Sequence, residues 1–285
     1  MKDKTGWIKE ADIEEFREYL LERENAAATV EKYIRDVRKF FEYTGGGEIN
    51  KERLLAYKDW LVENYAISSA NSMLVALNQF LVFMEMGRFR LKRLKVQRLD
   101  IEAAQRSMSR EEFRKLVRTA RVQGKEQLAL MLETICGTGI RVSELKYFRV
   151  DTIRNGVVKV WNKGKYRLVI LPELLRKKLL IYIGKEHIRS GIIFCTRSGQ
   201  EKDRSNIWRE MKVLAKSAGV KGEKVFPHNL RHLFARTFYT ATKNLINLAD
   251  ILGHSNIEVT RIYASEGIDE WKRNIEKMKL LECTT

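Results

Sequence analysis

The residues of this 285-residue chain that are best suited to chemistry lie in its last fifth. His228, Arg231 and His232 fall within one pentapeptide, and His254 and Tyr263 follow. Histidine changes its protonation near neutral pH, arginine holds a phosphate through two parallel hydrogen bonds, and a tyrosine hydroxyl can serve as a nucleophile. Together these residue types indicate phosphate chemistry with a covalent tyrosine.

A metal site is an alternative explanation of the histidines. His228 and His232 are four residues apart and would share a helical face, with His254 as a third ligand. The segment lacks the glutamate of the His-Glu-x-x-His zinc motif, however, and Arg231 would place a fixed positive charge beside the ion. A buried histidine with a backbone partner is a further alternative for His232.

A second candidate group surrounds two glycines near the middle of the chain. The stretch Gly137–Leu145 predicts the end of one helix and the start of another near Arg141. Glycine lets the backbone approach a ligand closely, and a helix start offers unpaired N–H groups to a phosphate. Arg141 could clamp a phosphate there, with Glu144 one turn later holding its guanidinium. Taken alone, the segment is better explained as an ordinary joint between helices.

Lysines stand at the turn of a predicted β-hairpin. Residues 156–161 and 166–171 are rich in Val, Ile and aromatic residues, and Asn162-Lys163-Gly164-Lys165 lies between them. A lysine on a β-ribbon in a DNA groove can contact the phosphate backbone or act as a general acid. A solvated turn favours lysine too, so the hairpin alone does not decide between these roles.

The charge of the chain favours a polyanionic partner. Residues 1–100 hold 18 basic and 17 acidic residues, so 36 basic and 20 acidic residues remain in 101–285, a net charge of +16. Residues 87–99 contain six basic residues and no acidic one, and extended chain of this kind can follow a phosphate backbone through counterion release. The residues assigned to DNA binding are Arg88, Arg90, Lys92, Arg93 and Lys95, with Lys165 from the hairpin.

Composition and periodicity predict two domains. A hydrophobic content of 44% supports packed cores, no apolar run reaches the ~20 residues that cross a bilayer, and three scattered cysteines fit a reducing cytosol. Four amphipathic stripes in residues 1–87 predict a helical bundle, and 88–106 a linker. Residues 107–285 combine helices with the hairpin and a short strand at Ile192–Cys195. The fold class is mainly α with a small antiparallel β-sheet, with an α+β second domain.

In order along the chain, the motifs resemble those of the tyrosine recombinases, the phage integrase family that includes Xer and Cre. They are Thr-Gly-Ile-Arg-Val-Ser-Glu-Leu from Thr138, the hairpin lysine, His-Asn-Leu-Arg-His from His228, Leu-Gly-His-Ser from Leu252 and Val-Thr-Arg-Ile-Tyr-Ala from Val259. Each is weak alone, but five in this order and spacing are specific. The resemblance implies a SAM-like core-binding domain (1–87) and a catalytic domain (107–285) that form a C-shaped clamp on DNA.

The resemblance also implies residue roles around a scissile phosphate. The implied catalytic set is Arg141, Lys163, His228, Arg231, His254 and Tyr263. The two arginines would bind the phosphate, with Glu144 supporting the first of them. His228 would be an acid/base near the nucleophile, and His254 would donate a hydrogen bond to a phosphate oxygen.

The two remaining roles complete the implied reaction. Tyr263 would be the nucleophile that forms a 3′-phosphotyrosine, and Lys163 would protonate the leaving 5′ oxygen. Because the turn is one residue shorter than the common family pattern, Lys165 stays an alternative to Lys163. No metal or nucleotide cofactor is implied.

The implied partners are double-stranded DNA with inverted half-sites and further copies of the chain, as a dimer on one site and a tetramer in synapsis. No membrane partner is expected, and the location would be the cytoplasm, at the nucleoid. A final helix at 267–281 would dock in trans on a neighbouring protomer, with packing on its own domain as the alternative. A DNA-binding regulator and a type IB topoisomerase are the rival functions. The full catalytic set argues against the first, and the helical first domain and Xer-like spacing argue against the second.

Overall fold

The computed structural model describes residues 7–94, 107–162, 165–196, 198–254 and 256–261. It divides the chain into two compact units, Met1–Leu99 and Asp100–Thr285. Within the described ranges, no helix combines the length and the apolar character that crossing a membrane requires.

The first unit is built from the helices that the apolar stripes predict. They are α1 (Glu10–Glu22), α2 (Ala27–Thr44), α3 (Lys51–Asn64) and α4 (Ile67–Phe83). Their apolar faces meet in one core, where Phe16 packs edge-on against Phe80 with 5.2 Å between ring centroids. Strands β1 (Trp7–Ile8) and β2 (Gly47–Glu48) pair antiparallel beside the bundle. The sequence does not predict these strands, because two residues are too few to show the alternation of apolar and polar side chains that marks a strand.

Two asparagines of α4 hold the chain where it leaves this helix. The Asn78 side chain donates to the Leu91 carbonyl (2.9 Å) and accepts from the Leu91 N–H (2.8 Å). Asn71, two turns earlier, makes the same pair of bonds with Leu94, at 3.0 and 2.8 Å. Each asparagine amide therefore pairs with both the N–H and the carbonyl of one residue, as the backbone of a neighbouring β-strand would. Residues 91–94, which the sequence assigns to the linker, are thus fixed on the first unit.

The second unit is organised around one buried helix. Among its described residues the α-helices are α5 (Arg110–Val122), α6 (Glu126–Thr138), α7 (Val150–Asn155), α8 (Glu173–Lys185), α9 (Arg204–Ala218), α10 (Pro227–Thr242), α11 (Leu245–Leu252) and α12 (Glu258–Arg261). The 3₁₀-helix that carries part of the site (Val142–Tyr147) lies between α6 and α7. Helix α6 packs against α5, α8, α9 and α10, and its apolar residues are buried on nearly every side. The capping box predicted at Ser109 and Glu112 is confirmed, with the two reciprocal bonds at 3.1 and 2.8 Å.

The predicted hairpin is confirmed, and one predicted strand is wrong. Strands β3 (Val157–Asn162) and β4 (Lys165–Ile170) pair antiparallel up to Asn162 and Lys165, which leaves two residues of sequence between the strands. Ile192–Cys195 is not a strand. Its end residues each form one isolated bridge, Ile192 with Arg149 and Cys195 with Glu201, so the two partners lie in different segments and no ladder can build up.

Gly139 ends α6 in a conformation that excludes a side chain. Its φ is 67°, and a Cβ atom would lie 2.4 Å from Phe234 and 2.9 Å from Leu252. Gly139→Ala is therefore expected to destabilise the chain by about 2–4 kcal/mol, through left-handed strain and overpacking together. Gly124→Ala is the matched control, since its φ is 70° with nothing within 4 Å. Urea unfolding followed by circular dichroism compares them, and equal losses would contradict the packing account.

The asparagine pair on α4 makes a local prediction. Asn78→Ala removes both bonds to Leu91, so amide exchange at Leu91 is expected to speed up by about 10- to 100-fold. Leu94, held by Asn71, is the internal reference. Asn64→Ala is the control variant, because the Asn64 amide bonds a carbonyl of its own helix, that of Trp60. Hydrogen exchange read by NMR tests this, and unchanged protection at Leu91 would refute the role of Asn78.

Candidate active site

Arg231 is a buried cation held by the ends of two helices. It lies on α10 and is 1% exposed. Its guanidinium donates to the carbonyl of Gly139 (2.6 Å), which caps the C-terminus of α6, and to that of Leu252 (2.7 Å), the last residue of α11. Helix C-termini carry partial negative charge, so both bonds stabilise the cation. This arrangement fixes the direction of the guanidinium before any ligand binds.

His254 is placed beside Arg231 by the turn after α11. Gly253 ends that helix with φ 65°, and the His254 Nε2 atom lies 3.0 Å from Arg231 Nη2. A guanidinium can only donate, so Nε2 is the acceptor, and Nδ1–H donates to the buried Thr260 hydroxyl at 2.9 Å. Burial first, and then the charge of Arg231, lower the pKa of His254 to about 4. The ring is therefore neutral at pH 7.

His228 and His232 lie one turn apart on α10, with their rings edge to face at 4.6 Å. Burial and the neighbouring Arg231 lower the pKa of His228. Burial and the neighbouring His228 lower the pKa of His232 to about 4. The three-histidine metal site is not formed, because both ring nitrogens of His254 are already engaged. Across the part of the chain described, no group of three or more His, Cys, Asp or Glu side chains is placed to hold a metal.

Arg141 stands at the start of the 3₁₀-helix and is anchored by Glu144. The Glu144 carboxylate is 2% exposed, and it accepts from the Arg141 N–H (2.8 Å) and from its guanidinium (3.3 Å). The Arg141 side chain is 34% exposed, so it is accessible to a ligand. Its charge contributes to the lowered pKa of both His228 and His254, which places all three in one cluster.

Arg167 on β4 joins this cluster, and sequence reasoning did not assign it a place there. Its guanidinium donates to Glu144 Oε2 (2.5 Å) and to the Ile251 carbonyl (3.0 Å), and its side chain is 13% exposed. Strand alternation could have put Arg167 on the buried face with Val169. The sequence does not show which face is buried, because the exposed face carries Leu168 and Ile170, which are as apolar as Val169.

The structure thus brings together five of the residues singled out from the sequence: Arg141, Glu144, His228, Arg231 and His254. Lys163, Tyr263, Lys95 and the segment 267–281 lie outside the described residues. Lys165 closes the hairpin ladder through its backbone. The remaining basic residues assigned to DNA are exposed on the first unit: Arg88, Arg90, Lys92 and Arg93.

A cluster of this kind is suited to a phosphodiester. Two guanidiniums and two neutral imidazoles converge, and one guanidinium is accessible from solvent. Guanidiniums pair with phosphate oxygens in a fixed geometry, and neutral imidazoles can accept or relay a proton at neutral pH.

Comparison with known proteins supports this assignment. The family model described as "Phage integrase family" matches residues 106–267, and that described as "Phage integrase, N-terminal SAM-like domain" matches residues 13–86. The tyrosine recombinase XerA of Thermococcus kodakarensis is 30% identical over 280 residues, covering 95% of this chain and 96% of that protein. XerD of Vibrio cholerae is 29% identical over 284 residues, covering 92% of this chain and 93% of that protein.

Solved structures show the same fold. XerH recombinase bound to a palindromic difH substrate superposes with a TM-score of 0.71 at 18% identity, covering 89% of this chain and 81% of that one. A lambda integrase dimer bound to a COC′ core site superposes with a TM-score of 0.68 at 16% identity, covering 92% of this chain and 78% of that one.

The two family models together span most of the chain, in the order that the motifs indicate. The chain therefore belongs to the phage integrase family and is a tyrosine recombinase, an enzyme that cleaves and rejoins DNA through a tyrosine intermediate.

Proposed function

We propose that this site-specific recombinase cuts one DNA strand with Tyr263 and seals it to another strand. The observation that carries the proposal is the fixed arrangement of the cations, with Arg231 held by two helix ends beside His254 and Arg141 anchored on Glu144. The spacing from His254 to Tyr263 in the sequence supports the choice of nucleophile.

In the proposed step, the Tyr263 oxygen attacks the scissile phosphorus, and the bond from phosphorus to the 5′ oxygen breaks. The tyrosine proton passes to His228, whose lowered pKa keeps it neutral and able to accept. Lys163 gives a proton to the leaving 5′ oxygen, with Lys165 as the alternative. The product is a 3′-phosphotyrosine, and a 5′ hydroxyl from a second strand reverses the same steps to rejoin the DNA.

The two arginines act mainly on the transition state. Attack adds negative charge to the non-bridging oxygens, so fixed guanidiniums bind the transition state more strongly than the substrate. Arg231 has no freedom to reorganise, because the Gly139 and Leu252 carbonyls already orient it. Loss of such a donor typically costs about 100- to 1000-fold in rate.

His254 can change its hydrogen bonding when a phosphate arrives. A phosphate oxygen would replace Nε2 as the acceptor for Arg231, and Nε2 could then donate to the phosphate if it carries the proton. The Thr260 hydroxyl allows this, since it can donate to Nδ1 as readily as it accepts from it. His254 therefore needs no net protonation to serve as a donor.

The DNA is proposed to contact both units. On the first unit, the asparagine pair on α4 fixes residues 91–94, and the neighbouring basic side chains point to solvent: Arg88, Arg90, Lys92 and Arg93. Lys95 and Lys165 are proposed to extend this contact. The domains are proposed to span 1–87 and 107–285, with 88–106 between them.

The proposed assembly is a dimer on inverted half-sites that pairs into a tetramer, at the nucleoid in the cytoplasm. A palindromic substrate in the XerH complex and a dimer in the lambda integrase complex support it. The segment 267–281 is proposed to dock in trans, which would couple assembly to cleavage.

Tyr263→Phe tests the nucleophile. The substrate is a duplex selected by the purified protein from a random pool, nicked beside the cleavage point so that the released fragment diffuses away. Wild-type protein is expected to form a denaturant-resistant adduct, and Tyr263→Phe to bind the duplex with unchanged affinity and form none. Tyr239→Phe, on α10, is the matched control and should react normally. An adduct that persists in Tyr263→Phe would remove this residue from the role.

A further inference from the structure

Arg167 joins three elements of the second unit that are far apart in sequence. It sits on β4, and its guanidinium reaches Glu144 in the 3₁₀-helix and the Ile251 carbonyl in the last turn of α11. The two acceptors lie on different elements, and each takes a different terminal nitrogen. The hairpin strand is thereby tied to the segments that carry Arg141 and His254.

The link to Arg141 runs through a shared carboxylate. Glu144 Oε1 accepts from the Arg141 guanidinium, and Oε2 accepts from the Arg141 N–H and from Arg167. A carboxylate that is 2% exposed needs cationic partners to offset its desolvation. Removing the Arg167 charge would leave Glu144 to draw the accessible Arg141 guanidinium inward, away from a ligand.

The link to His254 runs through the end of α11. Arg167 donates to Ile251, and its aliphatic stem lies against Gly253, the residue before His254. A Cβ atom at Gly253 would lie 2.6 Å from Arg167 Cδ and 2.9 Å from its Nε. The close approach of these two residues therefore sets where the turn carries the imidazole.

We propose that Arg167 is a positioning residue for strand cleavage, which orients Arg141 through Glu144 and His254 through the end of α11. It touches neither the nucleophile nor the phosphate in this account. The inference rests on the proposed function, because it concerns the same phosphate pocket.

Arginine is required here for its shape. Its planar fork presents donors that diverge, whereas the donors of a lysine all leave one nitrogen, so a lysine is expected to keep one of the two contacts and lose the other. Arg167→Lys keeps the charge beside Glu144 and most of the stem, so the fold should persist while the geometry is lost.

The test is single-turnover cleavage of the nicked duplex at saturating protein, with DNA affinity and melting temperature measured on the same variants. Arg167→Lys is expected to slow cleavage by about 10- to 100-fold, with affinity changed less than about threefold. Arg176→Lys is the matched control, because Arg176 also bonds two separate acceptors in this unit, the carbonyls of Ile153 and Arg154. It should cleave at about the wild-type rate.

A second comparison uses Gly253. Gly253→Ala is expected to slow cleavage strongly in the wild-type background, since the new methyl group would displace Arg167. In an Arg167→Ala background, Gly253→Ala should reduce the cleavage rate by a several-fold smaller factor. The clash with the Arg167 side chain is then gone, and the backbone strain at φ 65° persists.

The possible outcomes distinguish the positioning role of Arg167 from the proposed function. Wild-type cleavage by Arg167→Lys, a loss matched by Arg176→Lys, or additive effects with Gly253→Ala would overturn the positioning role. If wild-type protein binds the duplex but forms no adduct, the proposed function fails instead.

Discussion

Guanidinium groups must gather in this site before a phosphate is present to offset their charge, and the second unit is built around that requirement. Arg231 is satisfied by carbonyls at the ends of α6 and α11, while Arg141 and Arg167 share the buried carboxylate of Glu144. Isolated buried charges are costly, so these contacts stabilise the fold as well as the site. The residues that hold the cations together also fix their directions.

Burial, with a further contribution from the same positive charges, determines the protonation state of the histidines. Burial and the nearby guanidiniums keep His254 neutral, so its ring accepts a hydrogen bond from Arg231 rather than adding a further charge. His228 is shifted in the same direction, which leaves it free to take a proton from a nucleophile. A phosphate entering the site would offset part of this positive charge, and the Thr260 hydroxyl lets His254 respond by moving its proton between its ring nitrogens.

Sequence patterns predicted the parts of this molecule that depend on local chemistry. The apolar stripes of the first unit, the capping box at Ser109 and the hairpin all depend on neighbours within a few residues. Motif order then identified the family. Arg167 bonds a carbonyl 84 residues away, and Asn71 bonds a backbone group 23 residues on. Such partners are set by tertiary packing, so periodicity and spacing do not reveal them. The prediction of a strand at Ile192–Cys195 was wrong for the same reason, because the composition of a segment does not show whether a partner strand lies beside it.

We infer that the arginines neutralise the negative charge that develops on the scissile phosphate during cleavage. The direct measurement compares Arg141→Ala with wild type on two duplexes, one with an ordinary phosphodiester and one with a neutral methylphosphonate at the cleaved position. We expect the cleavage rate to fall about 100-fold or more on the phosphodiester and much less on the methylphosphonate, where less negative charge develops. An equal loss on both substrates would contradict it.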